Sequence, residues 1–237
     1  MQRIELKYLV PVELKEKLKE DIIPYFDYDI HSALSTNKVY TVRSIYLDTP
    51  DLTSYHEKLS GLKIRNKFRI RGYNEFNEDV NVFLEIKRKN ENYISKNRFP
   101  IRFSDVKEFL ISQDLSKIVN HSIEYEDRIK AAKNFIFYYI GNNLQPVVNV
   151  IYEREAFECK FGSGLRVTFD MNLRCFLTND IENLFSNQKT ELIFNNYFIL
   201  EIKLYKALPS WLRVVINKYN LKKEAISKYT LSVDKVL

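Results

Sequence analysis

Five cations, Lys63, Arg65, Lys67, Arg69 and Arg71, occupy every second position of the segment KIRNKFRIRG. Ile64, Asn66, Phe68 and Ile70 stand between them. Side chains alternate between the two faces of a strand, so an extended segment here presents one cationic face and one mostly apolar face. The pattern recurs along the chain. Glu5 and Lys7 share a face opposite Ile4, Leu6 and Tyr8; Glu85, Lys87 and Lys89 oppose Leu84 and Ile86. Arg154 with Glu158, and Arg166 with Thr168 and Asp170, repeat it, as do Glu201 and Lys203 against Leu200, Ile202 and Leu204. The motif E-x-K appears at 5–7, 85–87 and 201–203.

Two architectures satisfy such strands. A half-buried sheet packs its apolar side on helices and turns its charge to water. A closed antiparallel barrel packs its outside on helices and lines a tunnel with charge. The faces repeat charged pairs where a solvated face would also use Ser, Thr, Asn and Gln, and this favours the tunnel. The expected fold is therefore α+β: an eight-stranded antiparallel β-barrel with helices packed outside.

Composition is compatible with this. The chain has 237 residues, 45% of them hydrophobic, with 16 Tyr and 16 Phe against 5 Gly. That supports a real core and a preference for sheet. Nothing divides the chain into repeats or linkers, so one domain over residues 1–237 is expected. Apolar runs such as 135–140 are far shorter than the roughly 20 residues of a membrane span. Charges interrupt the first residues, so export is not expected. Cys159 and Cys175 lack C-x-x-C spacing, which suits reduced thiols in a cytoplasmic protein. The net charge of +6 leaves DNA, RNA, acidic lipid and phosphorylated small molecules all open as partners.

Strands are expected at about 3–10, 39–48, 63–72, 82–89, 93–100, 146–159, 165–171 and 196–205. Pro11 opens a helix over 11–20, and Thr49 or Asp51 caps a short helix. Helices are expected in two pieces over 104–140, with Gly141 and Asn142 as stop signals. A short helix over 179–188 and another over 209–219 with Trp211 buried complete the set. Residues 27–37 read as an irregular loop.

A tunnel so rich in cations repels itself unless an anion enters. At roughly 3.4 Å per residue, Lys63 to Arg71 spans about 27 Å, enough to track several phosphate units. Linear polyphosphate or a triphosphate fits that demand. Glu5, Glu85 and Glu201 are natural ligands for a hard divalent cation, Mg²⁺ or Mn²⁺.

The segments ELKYLV, VRSIYLDTPDLTSYHEKLSG, KFRIRGY, FLEIKRK, YEREAFE, LRVTFD, LEIKLYKALPSWL and ISKY, in this order from residue 5 to 229, resemble the VTC domain. This is the catalytic domain of polyphosphate polymerases, within the triphosphate tunnel metalloenzyme (CYTH-like) superfamily. The resemblance implies an eight-stranded tunnel that moves the γ-phosphoryl group of ATP onto growing polyphosphate and releases ADP. It implies that Lys7, Arg69, Arg71, Lys87, Arg154, Arg166 and Lys228 serve the reaction; Lys203, on the same strand face as Glu201, is expected to face the tunnel with them. Lys67, Arg69, Arg71, Arg154 and Arg166 are then expected to hold the phosphates, and Glu201 to lead the metal site with Glu5 and Glu85. The resemblance is to a stand-alone catalytic domain, so neither an inositol-phosphate-sensing domain before it nor a membrane domain after it is expected.

An ionised phosphate acceptor needs little general base, which suits a chain whose His31, His56 and His121 are scattered. If water reaches the same phosphorus, the reaction is that of a triphosphatase, with Glu5 or Glu85 positioning the water. A non-catalytic polyanion binder is a third reading. Nucleic acid is disfavoured as its ligand, because Ile and Phe lie opposite the cations of 63–71 rather than among them. Tyr46 and Asp48 are expected to brace a tunnel mouth or fix a turn. Protein partners, nucleotide base and oligomeric state leave no mark in the sequence.

Overall fold

The computed structural model describes residues 3–91, 93–118, 125–205 and 207–237. In chain order it forms β1 (Ile4–Pro11), α1 (Lys15–Ile22), β2 (Phe26–Tyr28), α2 (Ile30–Leu34), β3 (Tyr40–Asp48) and α3 (Thr53–Leu59). The hairpin-linked β4 (Ile64–Tyr73), β5 (Asn81–Asn90) and β6 (Tyr93–Arg102) follow, then α4 (Val106–Ser112) and α5 (Tyr125–Gly141). The last part holds β7 (Gln145–Cys159), β8 (Arg166–Leu177), β9 (Glu191–Leu192), β10 (Tyr197–Leu204), α6 (Ser210–Lys218) and α7 (Lys228–Val236). His121 lies outside the described residues. No helix among the described residues is long and apolar enough to cross a membrane.

Eight strands pair antiparallel in the order β1-β10-β8-β7-β3-β4-β5-β6, with β2 and β9 attached at the side. Among the described residues one bridge, Arg3 to Ile94, brings β1 back to β6, its N–H···O bond measuring 3.2 Å. Lys87 on β5 reaches Glu5 on β1 at 2.7 Å across the same seam. The sheet thus curls into the expected eight-stranded tunnel with helices around it.

The alternating pattern explains the packing. The outward faces of β4, β5 and β6 bury Phe68, Ile70, Leu84, Ile86 and Phe99 against Phe109 of α4 and Ala132 and Phe135 of α5. On the other side, Leu18 and Ile22 of α1 and Leu212 and Ile216 of α6 cover Phe157, Phe169 and Phe198. Burial of such apolar area dominates the stability of the barrel.

Three details differ from the sequence reading. The loop expected over 27–37 contains β2 and α2, because Asp29 caps α2 by accepting from Ser32 N at 2.7 Å. Trp211 is half-buried rather than fully buried and stacks on Tyr25, ring centroids 4.0 Å apart. The inner face is also not charged throughout. Val148, Val150, Leu173, Cys175 and Ile199 form an apolar stretch that receives Tyr229 and Val233 of α7. Asp48, fully buried, holds this helix: it accepts from Tyr229 Oη at 2.6 Å and from the N–H groups of Ser54 and Tyr55 at 2.9 and 3.1 Å. The cap position of α3 is Leu52 rather than Thr49 or Asp51, although Thr49 Oγ1 accepts from Thr53 N at the start of the helix.

Gly72 is where outer packing meets the tunnel wall. A Cβ there would lie 2.5 Å from Cζ of Phe185, whose ring also packs on Phe103. Gly72→Ala is expected to cost about 1–3 kcal/mol by overpacking, read as a lower midpoint in thermal denaturation with the transition still cooperative.

Candidate active site

The inner rows converge on one cavity of about 710 Å³. Fourteen of its described lining residues are Lys or Arg, and three are Glu. β4 supplies Arg65, Lys67, Arg69 and Arg71; β5 supplies Lys87 and Lys89; β1 supplies Glu5 and Lys7. Arg154 comes from β7, Glu201 and Lys203 from β10, and Lys228 from the start of α7.

Four buried carboxylates set the positions of these cations. Glu85 accepts from Arg69 Nε at 2.6 Å and from Lys96 Nζ at 2.8 Å, with Arg71 3.9 Å away. Asp170 takes both Nε and Nη2 of Arg154, at 2.6 and 2.8 Å, and Lys228 at 2.6 Å. Glu201 meets Lys203 at 2.9 Å, Lys7 at 3.5 Å and Arg154 at 3.6 Å. Glu5 holds Lys87. The bidentate Arg154–Asp170 geometry is the strong form of such a pair.

Burial and charge compete at each group. Burial alone would raise the Glu85 carboxyl, but Arg69, Arg71 and Lys96 outweigh it and hold it well below the usual carboxylate range. Burial likewise opposes ionisation of Glu201, and Lys203, Lys7 and Lys228 override it. Asp170 is lowered to about 2, with Arg154 and Lys228 overcoming burial. The lysines show the opposite strain. Burial brings Lys96 down to about 7 and Lys203 to about 8, against the pull of Glu85 and Glu201. Lys67 is pushed well below the ordinary lysine range by burial and then by Lys7 and Lys87; its Nζ donates to Ser227 Oγ. Burial at these amines disfavours the charged form.

Most residues expected to act together are together: Lys7, Lys67, Arg69, Arg71, Lys87, Arg154, Lys203, Lys228, Glu5 and Glu201 all line the cavity. Two are placed elsewhere. Arg166 does not line it; the guanidinium is bound by Asp29, the capping residue of α2, and lies 3.8 Å from Glu158. Glu85 sits behind the lining with both oxygens taken by cations, so it braces Arg69 rather than facing a metal. Sequence reasoning missed Lys96, although the alternation of Ile94, Lys96 and Arg98 in β6 carries the same signal as β4. It also missed Ser227 and assigned no role to Asp170, whose partners come from β7 and α7. His31 and His56 stand outside the lining.

Glu5 and Glu201 are the carboxylates that face the cavity from adjoining strands, and each feels the other's charge. No group of three or more His, Cys, Asp or Glu side chains is arranged to hold a metal among the described residues. Mg²⁺ is commonly held by one or two carboxylates with water and substrate phosphate completing the shell, so this pair fits such an ion.

The family model for the VTC domain matches residues 2–237. Vacuolar transporter chaperone complex subunit 4 of Schizosaccharomyces pombe is 24% identical over 221 residues, covering 80% of this chain and 30% of that protein. The subunit 4 of Trypanosoma brucei brucei is 23% identical over 216 residues, covering 79% of this chain and 27% of that protein. The chain therefore spans less than a third of the length of these relatives. A Hippeastrum protein, described as an adenylyl cyclase candidate with a dominant triphosphatase activity, superposes with a TM-score of 0.50 at 13% identity, covering 100% of this chain and 97% of that one. That likeness concerns the fold.

The depressed amines give a pH signature. Lys96 and Lys203 are charged below about pH 7 and lose charge as pH rises past about 8. An anion in the cavity favours their charged forms, so binding takes up protons in this window. Tripolyphosphate is expected to bind with net proton uptake near pH 8, measured by calorimetry in two buffers of different ionisation enthalpy. Lys96→Met is expected to reduce that uptake.

Proposed function

The chain belongs to the VTC domain family, and we propose that its cavity takes a triphosphate-bearing substrate and breaks the terminal phosphoanhydride bond. The observation that carries this reading is the fourteen-to-three excess of basic over acidic residues around one void. A small monovalent anion leaves most of that charge uncompensated. A chain of linked phosphates meets it along its length.

Arg69, Arg71 and Arg154 are the phosphate grips, held open by Glu85 and Asp170 so that they reach a ligand without rearranging. Charge aimed in advance at developing negative charge is the main source of catalysis in such a site. Lys7, Lys87, Lys203 and Lys228 complete the grip, and Lys67 adds an amine whose charged form a phosphate favours. Glu5 and Glu201 would hold Mg²⁺ or Mn²⁺; when bound, such an ion neutralises charge on the phosphate oxygens. Glu85 and Arg166, expected in the metal and phosphate sets, serve in this reading as braces.

Two acceptors are compatible with the site. Water makes the protein a metal-dependent triphosphatase, which needs only one anionic substrate in the cavity and is the first reading. Glu5 is then the carboxylate that orients the water. Transfer to the end of a polyphosphate chain, with ATP as donor and ADP released, is the second. It is favoured by the ion pairing of Glu5, Glu85, Asp170 and Glu201: strongly held carboxylates are weak bases, and an ionised phosphate nucleophile needs none.

The deciding experiment supplies ATP or tripolyphosphate with Mn²⁺, with and without a short polyphosphate primer, and resolves phosphates by length. Free phosphate without longer chains supports the triphosphatase. Longer chains with matching ADP support the polymerase. Neither product overturns the catalytic reading. Glu201→Gln is expected to lower metal-dependent turnover by about 100-fold or more, while far-ultraviolet circular dichroism still shows a folded sheet.

A further inference from the structure

At one end of the tunnel the inner rows change chemistry. The β4 row runs Arg65, Lys67, Arg69, Arg71 and then Tyr73; the β5 row runs Lys89, Lys87, Glu85 and then Phe83. The pairing register places Arg71 opposite Phe83, so both rings lie just past the last phosphate grip. Tyr73 and Phe83 are both half-buried and meet edge to face, centroids 6.1 Å apart. The exposed His31 of α2 lies nearly parallel to Tyr73, at 6.3 Å and 7°. Arg98 of β6 stands over Phe83 at 4.8 Å with its side chain 47% exposed.

Neither the phosphate grip nor the metal pair uses this arc of rings. A bare polyphosphate gains nothing from half-exposed aromatic faces. A planar heterocycle attached to a phosphate chain does, because bases stack on aromatic rings and on guanidinium planes. We propose that Tyr73, Phe83, His31 and Arg98 form the nucleoside site of this enzyme: the base of a nucleoside triphosphate stacks there and its phosphates run inward to Arg71 and Arg69. This rests on the phosphate-binding reading above and adds an orientation. The nucleoside lies at the Tyr73 end, and the terminal phosphate points toward Lys67 and Arg65.

His31 also explains what α2 contributes. Asp29 caps the helix and is itself held by Arg166, while Ser32 Oγ accepts from Ala156 N at 3.0 Å. A five-residue helix fixed at both points presents His31 to Tyr40 and Tyr73. Arg166, away from the phosphate cavity, thereby acts as a positioning residue for the base platform.

The test compares two ligands that differ by the nucleoside. Binding of ATP and of tripolyphosphate, each with Mn²⁺, is measured by calorimetry for the wild type, His31→Ala, Arg98→Ala and Tyr73→Leu. His31 and Arg98 are exposed, so their variants report even if Tyr73→Leu folds poorly. The expected result is an affinity loss for ATP that exceeds the loss for tripolyphosphate by about tenfold in each variant. Equal losses for both ligands, or none, overturn the nucleoside site. Wild-type protein that binds tripolyphosphate but not ATP overturns it and leaves the phosphate reading standing. Wild-type protein that binds neither overturns both.

Discussion

The structure depends on one electrostatic constraint: a buried cavity crowded with cations is held open by four carboxylates at its wall. Glu5, Glu85 and Asp170 each accept from residues on other strands, Glu85 taking side chains of both β4 and β6, while Glu201 pairs with Lys203 on its own strand and with Lys7 and Arg154 across it. An unpaired buried cation is costly, whereas a hydrogen-bonded pair is tolerated. The carboxylates are too few to neutralise the cavity. Burial, reinforced by neighbouring cations, keeps Lys67, Lys96 and Lys203 below the ordinary lysine range, and the imbalance leaves the site disposed toward an anion. The electrostatic strain of the cavity and its proposed affinity for phosphate are the same property.

Around this centre the barrel divides its labour. Outer faces take up ordinary apolar packing against α1, α4, α5 and α6, which fixes the strands on which the cations stand. Within the tunnel, α7 fills an apolar stretch and delivers Ser227 and Lys228 to the cavity. Asp48 ties that helix to α3 through Tyr229, so a residue at the end of β3 governs where a lysine 180 positions later points. The opposite end carries rings in place of cations, giving the tunnel a direction.

The legible part of the site followed from a single periodicity. Alternation in KIRNKFRIRG and the three E-x-K motifs placed Lys67, Arg69, Arg71, Lys87, Glu5, Glu201 and Lys203 on one face, and all of them line the cavity. Glu85 shows the limit of that signal. Its parity matches Glu5 and Glu201, yet Arg69 and Lys96 enclose both oxygens. Arg166 shows the same limit from the other sign of charge, since Asp29 lies 137 positions away in sequence and reaches it only after α2 folds back. Parity gives the face of a strand and says nothing of depth behind it or of which distant partner arrives.

The eight strands of the barrel, their inner and outer faces and the sign of the charge inside are legible in the order of residues alone, because side-chain alternation is local and is set by backbone geometry. Which cations are braced, which amines are depressed, where the apolar helix enters and where the rings gather emerge only in the closed barrel. Those depend on the register and tilt with which eight strands close, and on helices packed from distant parts of the chain. Burial and charge coupling act over a few ångströms in space, and no local pattern records which residues will share that space.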